Sequence, residues 1–166
     1  LKRPLDIVVI TETAFLAAVE YGYQHSDEIA GLARELTSEL GASDHRLADV
    51  LGLGGLGTED APVVRLLSSV FEEALRVRAS DIHIEPQERL LRIRFRIDGV
   101  LRVQTETDVK IAGAVALRLK LMSGLDISEK RLPQDGRFNV KLANGQVDVR
   151  ISTLPTINGE KIVMRI

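Results

Sequence analysis

Arginine is the side chain through which this sequence could do chemistry. Arg92, Arg94 and Arg96 recur at every second position, which on a strand sets three guanidinium groups on one face. Such a row can hold phosphates, or it can be the cross-strand complement of Asp81, His83 and Glu85, which repeat at the same period just upstream. Three against three favours the complement. Arg150 lies in the alternating run Val147 to Thr153 on the polar side with Lys141 and Asp148, and pattern alone reads it as a solvated arginine paired with Asp148 or a neighbouring strand. Histidine offers less: His25, His45 and His83 are scattered, no ligand spacing links them, and no metal site is expected. The run Gly52-Leu-Gly-Gly-Leu-Gly57 matches G-x-G-x-x-G, but what precedes it, His45 to Leu51, reads as a helical turn rather than a strand, so a linker is the better reading.

These side chains need elements to position them. Arg137 to Ala143 and Gln146 to Thr153 alternate apolar with polar around Asn144-Gly145, a strong hairpin signal, with Phe138, Val140, Leu142, Val147, Val149 and Ile151 turned to the core. Before the hairpin, Lys130 to Arg137 reads as a tight basic loop in which Pro133 fixes φ and Asp135-Gly136 supplies a residue tolerant of positive φ. Upstream, Leu5 to Ile10 predicts a buried strand, and Thr11 or Thr13 caps a helix closed by Gly22. Ser26 opens an amphipathic helix with Ile29, Leu32, Ala33, Leu36 and Leu40 on one stripe, which needs a groove on this chain or on a partner. Asp60 is expected to cap a helix with Pro62 in its first turn, Val63, Leu66, Leu67, Val70, Ala74 and Leu75 facing a core, and Glu72 and Arg76 paired outside. Then come a strand at Ser80 to Glu85 with its charges outward, a strand at Leu91 to Ile97 turned by Asp98-Gly99 into a third, a helix opened by Asp108 with Ile111, Val115, Leu119 and Met122 inward, the hairpin, and a last strand at Gly159 to Arg165. The order predicts an α+β sandwich, an antiparallel sheet of about six strands with two long helices on one face, preceded by a β-α unit and an amphipathic helix.

Composition sets bounds on function. With 166 residues, 45% hydrophobic and 28% charged, the chain can bury a real core, and a net charge of −2 argues against a dedicated nucleic-acid binder. The absence of cysteine excludes disulfides and thiolate metal sites. No apolar run reaches the roughly 18 residues of a membrane span, and a cytoplasmic protein is expected. The chain starts at Leu1 without Met and ends at Ile166 inside an alternating run, as a piece of something longer would.

Four stretches in order, Ala79-Ser-Asp-Ile-His-Ile-Glu-Pro86, Arg94-Phe-Arg-Ile-Asp-Gly99, Leu125 to Arg137 with its Leu-Pro-Gln-Asp-Gly-Arg, and Val147 to Pro155 with Gly159-Glu-Lys161, resemble the hexameric assembly ATPases of type II secretion and type IV pili. The resemblance implies that residues 61–166 are a PAS-like second N-terminal domain lying just before a RecA-like motor that would follow residue 166. It also implies that residues 1–41 are the end of the preceding N-terminal domain plus a connecting helix, with 42–60 as a flexible linker. In one branch of that family the preceding domain binds cyclic di-GMP, through a motif expected upstream of Leu1. The sequence has no G-x-x-x-x-G-K-[ST] loop and no cysteine for the motor's zinc site, so ATP and Mg²⁺ are cofactors of the full-length parent, and no ATP hydrolysis is expected of this chain alone. What the resemblance carries over is a nucleotide-phosphate role for Arg150 and Arg165, and contacts to a neighbouring subunit for Arg131 and Arg137. Implied partners are the chain's own motor domain, the other subunits of a hexamer and inner-membrane platform components that hold it peripherally at the membrane, with no nucleic acid and no membrane insertion. The rival expectation is a free-standing nucleic-acid-binding α+β domain that uses Arg92, Arg94 and Arg96. Its weakness is an aromatic content of only 4%, since single-strand readers stack bases on aromatic side chains.

Overall fold

A computed structural model describes residues 11–42, 61–142 and 145–166, the side chains of 16–26 and 42 excepted. The expected strand at 5–10, the turn at 45–51, the glycine-containing linker and Asp60 lie outside the described residues. The elements are α1 (Glu12–Ala42), α2 (Pro62–Arg76), β1 (Asp81–Pro86), β2 (Leu90–Ile97), β3 (Val100–Asp108), a 3₁₀ turn (Val109–Ile111), α3 (Ala112–Ser123), β4 (Gln134–Leu142), β5 (Gly145–Thr156) and β6 (Gly159–Arg165).

The six strands form one antiparallel sheet in the order β3-β2-β1-β6-β5-β4. Two three-stranded meanders are joined at the centre by β1 against β6. Alternation puts Ile82, Ile84, Ile93, Phe95, Phe138, Val140, Val149, Ile151, Ile162 and Met164 on one buried face, and these share a single core with α1, α2 and α3. The α+β sandwich read from the sequence is therefore the fold, with the helices on one face of the sheet. Phe71 of α2 meets Phe138 of β4 edge-on at a ring-centroid distance of 6.0 Å, a favourable aromatic geometry.

The amphipathic stripe finds its groove on this chain. Ile29, Ala33 and Leu36 are fully buried, α1 packs on α2 and β3, and Arg65 pairs with Glu35 across the helices. Thr11 Oγ1 accepts from the Ala14 amide at 3.2 Å, the expected cap. Gly22 does not stop the helix, which runs unbroken to Ala42: a glycine in a helix interior costs about 1 kcal/mol, too little to end a helix anchored by core packing further along.

Three further expectations are corrected. Ala61 occupies the N-cap of α2 without a side-chain bond, Pro62 following it. In α2, Leu75 is exposed while Phe71 and Glu73 are buried, and Arg76 places both arms of its fork on Glu73, three residues back, at 2.6 and 2.7 Å, rather than pairing as expected with Glu72. The helix that Asp108 opens does form as expected, starting as the 3₁₀ turn with the Asp108 carboxylate accepting from the Lys110 amide and ending at Gly124 with φ 66°. Finally, the basic loop is shorter than predicted. β4 already begins at Gln134, and Gly136 has no positive φ. Its lack of a side chain serves packing instead: a Cβ there would lie 3.0 Å from Leu125 Cδ2 and 3.3 Å from Ser123 Cβ. The expected hairpin forms, with Leu142 paired to Gly145.

Candidate functional site

On the face away from the helices the register aligns side chains into rows. Arg137 of β4 stands opposite Arg150 of β5, Arg150 opposite Arg165 of β6, Arg165 opposite Asp81 of β1, and Asp81 opposite Arg96 of β2. Four arginines and one carboxylate thus share one line across five strands. Like charges directly opposite one another are unfavourable, so how each is compensated decides what the row can do.

Arg96 is engaged. Its Nε lies 3.2 Å from Asp81, and Nη1 donates to the Gly99 carbonyl at 3.0 Å within the Asp98-Gly99 turn, whose φ values are 50° and 80°. Arg94 donates to Glu85 at 2.8 Å, and Arg92 to Glu106 on β3 at 2.6 Å. The triple complement holds for two of its three members: Arg92 stands opposite Glu85 in register yet turns to the outer strand. Glu85 is also held by Lys161 of β6 at 2.8 Å.

Asp81, His83 and Glu85 were expected outward. They do lie on the face opposite the core, yet they are buried, because the long side chains of β2 and β6 fold over the central strand. Burial pushes the Asp81 carboxyl up, but the Ser80 hydroxyl, Arg165 and Arg96 outweigh it and hold it below the usual carboxylate range. Glu85 is likewise raised by burial and brought net downward by Arg94 and Lys161. Burial lowers the basicity of His83, Glu85 opposes this, and Lys161, Arg96 and Arg94 add to it. His83 is therefore neutral at physiological pH. Among the described residues no group of His, Asp and Glu side chains is disposed to hold a metal.

The other end of the row is left open. Arg165 touches Asp81 through Nε at a long 3.3 Å with its side chain 73% exposed. Asp81 has Ser80 Oγ at 2.8 Å and Arg96 besides, so losing Arg165 would not strand it. Arg150 and Arg137 are exposed, and neither comes within ion-pair distance of a carboxylate among the described residues. The open concavity of about 630 Å³ at this end is lined by Arg137, Arg150 and Arg165 with Asn139, Asp148 and Ile166. Chemically it is a site of exposed, fork-shaped donors on rigid strands, of which only Arg165 has a carboxylate partner among the described residues, suited to anions with several oxygens.

Arg131 lies apart, in the loop before β4, 91% exposed and 3.7 Å from Glu129. Sequence reading assigned Arg137 to that loop as well, whereas β4 carries it to the side of Arg150. Pairing could not be seen without the register, since nothing in the local sequence of Arg137 specifies which strand it faces. The buried Lys120, paired with Glu160 and donating to the Glu129 carbonyl at 2.6 Å, was also missed; its neighbours in sequence give no sign of a carboxylate from the β5–β6 end. No described helix is long and apolar enough to cross a membrane.

Comparison with known proteins places the molecule among relatives. The sequence model of the family described as "Type II/IV secretion system protein" matches residues 57–166. The chain is 40% identical over 173 aligned residues to the type II secretion system protein E of Pseudomonas aeruginosa, covering 99% of this chain and 33% of that protein. It is 37% identical to the type IV pilus assembly ATPase PilB of Myxococcus xanthus, covering 98% of this chain and 29% of that one. A type II secretion system protein E of Klebsiella pneumoniae is 49% identical over 108 residues, 65% of this chain and 22% of its own length. The chain thus spans about a third or less of these relatives. A solved structure titled as the pilus retraction motor PilT with bound ADP overlaps 60% of this chain with a TM-score of 0.43 and 20% identity.

Proposed function

Since the chain belongs to the type II/IV secretion system protein family, we propose that it is a non-catalytic N-terminal part of a hexameric secretion or pilus-assembly ATPase, lending Arg150 and Arg165 to the phosphates of a nucleotide held elsewhere. The observation that carries this reading is the register pairing of Arg150 with Arg165, two exposed guanidiniums side by side on strands whose opposite face is core. A guanidinium is always charged and offers parallel donors to phosphate oxygens. Fixed to a sheet, it meets developing charge without reorganisation when two domains close. The chain itself has no glycine-rich loop with a lysine to cradle phosphates, so ATP and Mg²⁺ bind in the motor region of the longer protein. Oligomer formation and control of that motor are the tasks left to this part, with neighbouring subunits and inner-membrane components as partners, at the cytoplasmic side.

The nucleic-acid reading loses its support at the arginines it needs. Arg92, Arg94 and Arg96 are each paired to a carboxylate, so a phosphate would have to displace an existing ion pair at every position.

The test compares this chain with the longer protein. The chain alone is expected to show no ATP turnover and no micromolar ATP affinity by calorimetry, while the longer protein hydrolyses ATP. Turnover or micromolar binding by the 166-residue chain would reveal a complete nucleotide site and overturn the proposal.

A further inference from the structure

Arg137 has no role in the reading above, yet its position is as well fixed as that of Arg150. Its neighbour Gly136 sits tight against Leu125 and Ser123, and its other neighbour Phe138 is buried against Phe71. The intervening residue is therefore held on the polar face between two packed anchors. From there it stands directly across from Arg150, as Arg150 does from Arg165. Adjacent strands are about 4.8 Å apart, so the three residues form a line about 10 Å long rather than a single point of charge.

Among the described residues one carboxylate compensates that line, and only at its Arg165 end. Asp81 is the one carboxylate in register with it, and Asp81 is already shared between Ser80, Arg96 and Arg165. Asp148 lines the same concavity but lies outside ion-pair range of all three guanidiniums. Three like charges in succession destabilise the free sheet, and an extended polyanion laid along the row would relieve them at once.

We propose that Arg137, Arg150 and Arg165 form a three-guanidinium cradle for a linear polyphosphate chain, with Arg137 a phosphate-contacting residue in its own right. The inference rests on the phosphate-facing reading of Arg150 and Arg165 and deepens it. The shared chemistry is a run of consecutive phosphates, supplied either as the triphosphate of a nucleotide or as inorganic polyphosphate; we infer the nucleotide. Arg165 turns to it by exchanging its long contact to Asp81, which keeps its bonds to Ser80 and Arg96.

The 166-residue chain can be titrated with inorganic tripolyphosphate, ATP and orthophosphate while the arginine Nε–H resonances are followed by NMR. Tripolyphosphate is expected to shift Arg137, Arg150 and Arg165 together, and ATP to bind within about threefold of it, since the adenosine adds nothing on this face. Orthophosphate should bind at least tenfold more weakly. Arg137→Gln should weaken tripolyphosphate as much as Arg150→Gln does, threefold or more, with Arg137→Lys recovering part of the loss because charge without the fork is a poorer match. Arg131→Gln, on the loop, should change nothing. Wild-type affinity in Arg137→Gln alongside a loss in Arg150→Gln would remove Arg137 from the site and leave the reading of Arg150 and Arg165 standing. Equal weakening by Arg131→Gln, or orthophosphate binding as tightly as tripolyphosphate, would reduce the cradle to general charge attraction and overturn it. Tripolyphosphate binding with ATP more than tenfold weaker would overturn the nucleotide as its ligand. Absence of any tripolyphosphate binding would overturn the cradle, while the roles of Arg150 and Arg165 are judged separately by the kinetics of the longer protein.

Discussion

Six arginines with similar sequence surroundings have different fates here, and register decides between them. Arg92, Arg94 and Arg96 are tied to Glu106, Glu85 and Asp81, whereas Arg150 and Arg137 stand opposite another arginine and Arg165 holds Asp81 only through one long contact. The complement of Asp81 and Glu85 with Arg96 and Arg94 was legible because both partners repeat at period 2 on strands joined by a short turn. The grouping of Arg137, Arg150 and Arg165 was not, because three strands and two connections must close before they become neighbours. Burial of His83 was also hidden: alternation marks a face as polar, but only the reach of Arg94, Arg96 and Lys161 from flanking strands covers it. That burial has a pH consequence. The folded value of His83 lies below its unfolded one, so the unfolded chain takes up the proton first as pH falls; its contribution is whole above about pH 6.5 and declines below it. Melting temperature is expected to fall from about pH 7.5 to about pH 5.5, and His83→Gln should flatten that slope; an unchanged slope would assign it to another group. Below about pH 4.5 the contribution of the Asp81 and Glu85 carboxyls, whose folded values lie below their unfolded ones, declines as the unfolded chain takes up their protons first, and is lost once pH has fallen through the folded values, a second acid limb that Asp81→Asn should shrink.

At the scale of elements, hydrophobic period carried most of the fold: the hairpin, the turn at Asp98-Gly99, the stripe of α3 and the face of α1 all stand where alternation or a helical stripe put them. What it could not give was continuity and exact starts. A glycine is a stop signal only where the flanking chain has somewhere else to go, and α1 continues through Gly22 because its later turns are locked into the core. This predicts that α1 is part of the cooperative unit. Leu36→Ala should cost about 2–5 kcal/mol in chemical denaturation, the range for deleting a fully buried leucine, and a cost near zero would mean that the helix docks loosely. Gly136 was misread as a turn residue because its role is contact, not φ. A valine there meets Leu125 and Ser123, and Gly136→Val should destabilise by about 1–3 kcal/mol through overpacking. Gly136→Ala should cost less, since Leu125 Cδ2 is the end of a flexible side chain; equal tolerance of both would show that α3 and β4 are less closely packed than they stand here.

The molecule as a whole divides its labour by face. One side of the sheet buries the apolar rows under three helices, and the other is a ledger of charge that balances at the centre and is left in surplus at the β4–β5–β6 end. At that end the guanidiniums of Arg137, Arg150 and Arg165 face outward along one concavity. The proposed action of Arg150 and Arg165 on a nucleotide bound elsewhere in the longer protein is read out by the steady-state ATPase kinetics of that protein. Arg150→Ala and Arg165→Ala are surface changes expected to alter stability by no more than about 0.5 kcal/mol. If they meet phosphate charge mainly in the closed geometry, each should lower kcat on the order of 10³-fold with far less change in KM, and lysine should restore only part. Arg94→Ala, which removes a partner from buried Glu85, should instead lower the melting temperature and leave kcat within about threefold of wild type. Near-normal kcat in Arg150→Ala and Arg165→Ala, with Arg94→Ala carrying the loss of turnover, would contradict a phosphate-facing role for Arg150 and Arg165.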